Sequence, residues 1–229
     1  MASLVYPLLT FGPELVYSLR SVEKHGRRVG EVFIVGADTP ELKNVVNVPF
    51  ADKKQRVSIN IWEKLVAIAE NPQISERFLF LNDDFYITKD FDAESIPMYA
   101  RPGTLASYKS RVPKTIYQKM LYATHDALQS RGLPIENFAT HQPVNLEKTK
   151  VLQAYEEFKR EIYTPLSISF RCAYGNLHRL PAKRLGTVII KARNAVPKRW
   201  AFASHASIRP EELAAKLDPL YPAKSRYEV

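Results

Sequence analysis

A single cysteine, Cys172, stands among 229 residues, so no internal disulfide can form. Such sparse cysteine usage favours a reducing, intracellular setting. No run approaches the ~20 apolar residues of a bilayer span. The opening stretch, MASLVYPLLTFGPELVYSL, lacks the basic start of a secretory leader, and Pro7, Pro13 and Glu14 interrupt it. It reads as a first strand and helix, with a cytoplasmic location expected. Internal repeats and low-complexity tracts are also missing. What remains, 45% hydrophobic and 25% charged, is ordinary for a globular chain. It is long enough for one medium domain with a real core.

Acid is missing from one region. Between Ile162 and Pro210 there is no Asp or Glu, while nine Lys and Arg residues occur. The net charge of +9 divides into −3 for residues 1–100 and +12 for residues 101–229. Lys183, Arg184, Lys191, Arg193, Lys198 and Arg199 are therefore candidates for a polyanion surface, with double-stranded DNA the leading partner. The plain alternative is a solvated basic face. A nucleotide-sugar diphosphate by itself engages only one or two such charges.

The apolar pattern sets the fold class. SLVYPLL (3–9), EVFIVG (31–36) and RFLFLN (77–82) read as strands. ELVYSLRSVEK, opened by Pro13 and Glu14, and SINIWEKLVAIAE (58–70) read as amphipathic helices. Strand, helix, strand, helix, strand predicts an α/β fold with a mostly parallel, Rossmann-type sheet flanked by helices, as a single domain. Within it, residues 1–100 are the slightly acidic half and 101–229 the basic half. Helices are also expected over 114–130 and 145–162, the latter capped by Asn145, and a strand over 187–191.

Asp83 and Asp84 fall just past the third strand. In parallel α/β sheets, ligands sit beyond the carboxyl ends of the strands. Two adjacent carboxylates there repel unless a proton or cation lies between them, and a hard divalent ion does this beside a phosphate-bearing substrate. A solvated turn is the bland alternative. The apolar flanks, FLFL before and Phe85-Tyr86 after, argue against it.

Three segments carry a resemblance to a known family: ELVYSLRSVEKHGRRVGEVFIVG, SINIWEKLVAIAENPQISERFLFLNDDFYI and THQPVNLEKTKVLQAYEEF. They resemble successive regions of the Stealth proteins. Those are sugar-phosphate transferases of capsular polysaccharide synthesis, grouped more broadly with GT-A glycosyltransferases. The resemblance spans about residues 3 to 160 and implies a GT-A-like fold, a divalent metal (manganese or magnesium) and a nucleotide-sugar donor, with a UDP-sugar favoured. It implies donor contacts from Tyr6, Arg20, Asn60 and Asn82, and a metal site at Asp83 and Asp84. It places His141 near the reacting centre, and Asp83 and His141 are the catalytic candidates. His205, in WAFASHASI, is a candidate third metal ligand, since imidazole suits manganese. The chain departs from the family in its shortness and in its unrecognisable later region.

The leading expectation is a metal-dependent glycosyltransferase acting on 5-hydroxymethylpyrimidines in duplex DNA, the hypermodification known from phages. The basic portion motivates that acceptor, and Phe170, Tyr174 and Trp200 are candidates to stack on a flipped base. Two other readings stand beside it: a Stealth-like sugar-phosphate transferase acting on a surface polysaccharide, and an inactive nucleic-acid-binding protein. Asp83, Asp126 and His141 are alternatives for the catalytic base.

Overall fold

The computed structural model describes residues 1–53, 56–109, 112–113, 115–185, 189–190, 196, 200–204 and 208–229. Strand β1 (Ala2–Leu8) leads into helix α1 (Pro13–His25), strands β2 (Val29–Gly36) and β3 (Val45–Pro49), helix α2 (Val57–Glu70) and strand β4 (Arg77–Phe80). After these come β5 (Phe85–Ile87), α3 (Ile116–Gln129), β6 (Val144–Glu147) and α4 (Lys148–Ile162). Helix α5 (Phe170–Leu177), strand β7 (Ala201–Ser204) and helix α6 (Pro210–Leu217) complete the main elements.

Among the described residues the central sheet has five strands in the order β3-β2-β1-β4-β6. The first four run parallel, and β6 closes the edge antiparallel to β4. The expected mixed α/β architecture, with a mostly parallel sheet between helices, is present. The chain order reverses between β1 and β4, which makes their carboxyl ends the switch-point crevice of a doubly wound sheet.

Strand β1 is paired at both edges and covered on both faces by α1 and α2, so its sequence is almost wholly apolar. Val5 points toward α2 and packs with Trp62, Leu65 and Ile68. Leu4, Tyr6 and Leu8 point the other way, onto Leu15, Leu19 and Val22 of α1. Each such side chain contributes about 1.5–3 kcal/mol through burial. A smaller layer, built of Tyr17, Tyr86, Phe202, Leu213 and Leu217, seats α6 against β5 and β7.

Several boundaries differ from expectation. Residues 144–147 form a strand rather than the start of a helix, because Val144 and Leu146 are needed to complete the sheet core beside β4. Asn145 therefore pairs with Leu79 and caps nothing. Of the strand expected over 187–191, Ile189–Ile190 is present and pairs with β7, while 187, 188 and 191 lie outside the described residues.

Candidate functional site

The site grows out of strand register. Phe80 ends β4 and lies opposite Val144, the first residue of β6. Because β6 is antiparallel, residues 141–143 run level with 81–84. His141 is thereby brought to Asp84, fifty-seven positions away in the chain, with Nε2 at 2.9 and 3.1 Å from the two carboxylate oxygens. The imidazole ring also rests on Phe85, with centroids 5.8 Å apart. The Asp84 main-chain carbonyl accepts from the Ser204 amide at 3.1 Å, which anchors the acidic turn to β7.

Asp83 is half-buried and faces a different environment. Desolvation, then the charge of Asp84, pushes its carboxyl up to about 6, and Glu14 in the first turn of α1 adds to the repulsion. The group is thus poised between protonated and ionised near neutrality. From the resemblance, Asp83 and His141 are the catalytic candidates. The structure brings Asp84, rather than Asp83, to His141.

His141 and Asn82 open into a cavity of about 590 Å³. Its apolar wall includes Ile61, Phe80, Met120 and Ile168, and its polar lining includes Arg56, Ser58, Ser169 and Arg171. Arg171 is only 8% exposed. Burial lowers its guanidinium pKa to about 10. In the sequence Arg171 is only one of nine basic residues in an acid-free stretch, because its burial depends on α5, an element that the apolar pattern of residues 170–177 does not announce.

The remaining candidates divide. Asn60 sits in the first turn of α2 and is buried, with its amide donating to the Lys53 carbonyl at 3.1 Å. Two donor-contact candidates have other partners in the structure. Tyr6 is fully buried in the α1 face of the sheet, its hydroxyl 3.1 Å from that of Ser18, because alternation along β1 turns it inward. Arg20 lies on α1 but holds Glu228 through Nε at 2.8 Å and Nη2 at 2.6 Å, and donates from Nη1 to the Tyr221 carbonyl at 3.2 Å. Its guanidinium is engaged by the carboxy-terminal segment rather than facing the acidic turn.

Of the basic candidates, Arg184 pairs with Glu136 at 2.5 Å and donates to the carbonyls of Arg101 and Gly103. Lys183 is exposed and lies over the ring of Tyr99. Lys191, Arg193, Lys198, Arg199 and His205 lie outside the described residues. Tyr174 is buried, with its hydroxyl accepting from the Glu147 amide, so its ring is not presented for stacking on a base, and half-buried Trp200 packs against Tyr99. Phe170, by contrast, lines the cavity.

Among the described residues no cluster of three His, Cys, Asp or Glu side chains forms a metal cage. The residues present still fit a magnesium-type ion, which is typically held by one or two carboxylates with the rest of its shell from water and substrate phosphates. The raised carboxyl of Asp83 is the supporting observation, since a cation beside Asp83 and Asp84 would relieve the repulsion that raises it.

Comparison with known proteins adds one finding. No family model matches the chain. Two proteins of Streptococcus thermophilus, capsular polysaccharide phosphotransferases eps5J and CpsJ, are each 25% identical to it over 115 residues, covering 46% of this chain and 48% of each relative. The chain thus spans about half the length of the relatives it matches, and the relation is distant. Among the described residues no helix is long and apolar enough to cross a membrane.

Proposed function

We propose that the chain is a sugar-phosphate transferase, moving a sugar phosphate from a nucleotide-sugar to a hydroxyl of a surface or capsular polysaccharide. The observation that carries this reading is the Asp84–His141 pair at the switch point, beside a second carboxylate and opening into a substrate-sized cavity. The names of the two distant relatives support it, and favour a polysaccharide over DNA as acceptor.

In the proposed reaction the acceptor oxygen bonds to the sugar-bearing phosphorus. The anhydride bond to the nucleoside monophosphate breaks, and the acceptor proton passes to His141. The Asp84 carboxylate holds the imidazole in place and stabilises the imidazolium that forms. Asp83 and Asp84 would hold a divalent cation, which when bound would neutralise charge on the donor's phosphates. Asn82 would hydrogen-bond the donor where it enters the cavity. A GT-A-like donor mode is part of this proposal.

The nucleotide released tests the reading. Incubation with UDP-N-acetylglucosamine, magnesium or manganese, and a capsular oligosaccharide is expected to yield UMP. Release of UDP would mean transfer of the sugar alone, and no release with any of a panel of nucleotide-sugars would overturn the transferase reading. Transfer to hydroxymethylated DNA is a second proposal, motivated by the +12 charge of residues 101–229. Nucleoside mass spectrometry after incubation with such DNA tests it, and unchanged nucleosides would remove it.

A further inference from the structure

The helices of this protein differ in how their amino ends are satisfied. Helix α1 carries Glu14 in its first turn. Helix α3 has a full capping box from Thr115 and Gln118. The start of α4 receives the Glu76 carboxylate, which accepts from the Thr149 amide at 3.0 Å. Helix α6 is closed by Glu212, whose carboxylate accepts from the Arg209 amide at 3.1 Å. Helices α2 and α5 have neither a side-chain cap nor an acidic residue in the first turn. Both begin at the wall of the same cavity, at Arg56-Val57-Ser58 and Ser169-Phe170-Arg171.

Each of these two starts carries an arginine where the helix dipole is positive and an acidic residue would be the favourable choice. Arg56 is the residue that precedes α2, and Arg171 is the second residue of α5. Arg171 is also more than nine-tenths buried. Among the described residues it makes no ion pair or hydrogen bond; the face of Phe170 lies 5.1 Å from the guanidinium carbon, and the Tyr117 hydroxyl and the Cys172 thiol, both neutral near pH 7, are its other electrostatic neighbours. No residue outside the described set is Asp or Glu, so the chain supplies no carboxylate for it. A ring face offers about 0.5–2 kcal/mol to a cation, less than the several kcal/mol that burying an ion costs. The charge is therefore left without its counterpart.

We propose that this wall of the cavity is an anion subsite, in which Arg171, supported by Arg56 and the open amides of the two helix starts, binds a phosphate group of the substrate. Uncapped helix amides and a planar guanidinium are complementary to phosphate oxygens, and the site needs no metal of its own. It is distinct from the acidic turn at Asp83 and Asp84, and shares the cavity with His141. The choice of phosphate among anions rests on the transferase reading. The phosphate would come from the nucleotide donor or from a phosphorylated sugar.

Thermal unfolding of the full chain in EDTA, with UDP in one arm and N-acetylglucosamine 1-phosphate in the other, tests this. Wild type is expected to gain melting temperature with at least one probe, and the arm that responds identifies the source of the phosphate. Arg171→Met should bind that probe at least tenfold more weakly while melting no lower than wild type on its own, since it removes an uncompensated charge. Arg171→Lys, which keeps the charge, should retain part of the shift. Equal shifts in wild type and Arg171→Met, or no shift in wild type with either probe, would overturn the proposal. So would a ligand-free Arg171→Met that melts far below wild type while Arg171→Lys does not bind. Because chelator removes the cation, these outcomes are independent of turnover: an enzyme that binds the probe through Arg171 yet releases no nucleotide refutes the transferase reading and leaves the subsite standing.

Discussion

Asp83 illustrates how one side chain can be held against its own stability. Its carboxyl is raised to about 6, first by desolvation and then by Asp84. A raised carboxyl means that the folded state binds more protons than the unfolded one between about pH 4 and 6. Stability is therefore expected to fall as pH rises through that window, and to stay lowered above it. Asp83→Asn removes the penalty. At pH 7 it should melt a few degrees above wild type, a gain on the order of 2 kcal/mol, while losing nucleotide turnover. A melting point well below wild type in a thermal scan would instead make Asp83 a structural residue. Divalent cations should stabilise wild type at pH 7 and cease to do so in the variant.

At the scale of elements, the carboxyl end of β1 depends on contacts that pattern alone does not display. Buried Lys64 of α2 donates to the Leu8 carbonyl at 2.9 Å and to Asp52 at 2.7 Å. Gly36, at the end of β2, has φ +130 and presses directly on the Leu8 carbonyl, leaving no room for a Cβ. Gly36→Ala is expected to destabilise by about 2–4 kcal/mol, combining clash and backbone strain, as read by denaturant unfolding. A change below about 0.5 kcal/mol would show that the strand ends adapt freely.

The same scale explains what the sequence made legible. Strands β1, β2 and β4 and helices α1 and α2 carry long, consistent apolar periods, and the acidic turn follows directly from the end of β4. Strand β6 was hidden because VNLE adjoins a helical period, and only pairing with β4 decides its state. Helix α5 was hidden for a similar reason: Arg171, Cys172 and Asn176 are buried within eight residues, so no polar face marks it. His141 was visible only through resemblance, whereas its meeting with Asp84 comes from antiparallel register across the sheet edge.

Over the whole molecule, the carboxy-terminal segment closes back on the first helix. Arg20 grips Glu228 in a two-point pair, Tyr17 donates to Asp218 at 2.6 Å, and the Tyr221 hydroxyl donates to the Ile87 carbonyl at 2.7 Å. The first two contacts join residues about two hundred positions apart, and the third ties the strand after the acidic turn to the segment that follows the last helix. Glu228→Ala leaves a half-buried guanidinium unpaired, and should cost about 1–3 kcal/mol in denaturant unfolding. If Arg20 instead served the donor, Glu228→Ala would leave stability unchanged and Arg20→Ala would act on turnover alone.

In the proposed reaction the pairing of Asp84 with His141 is where the proton moves. The direct measurement is steady-state release of nucleotide by His141→Gln against wild type, with donor binding and the circular dichroism of the two proteins compared in parallel. The account predicts a fall in kcat of about 10²–10⁴-fold, with the donor dissociation constant and the fold retained. Turnover within threefold of wild type would contradict it.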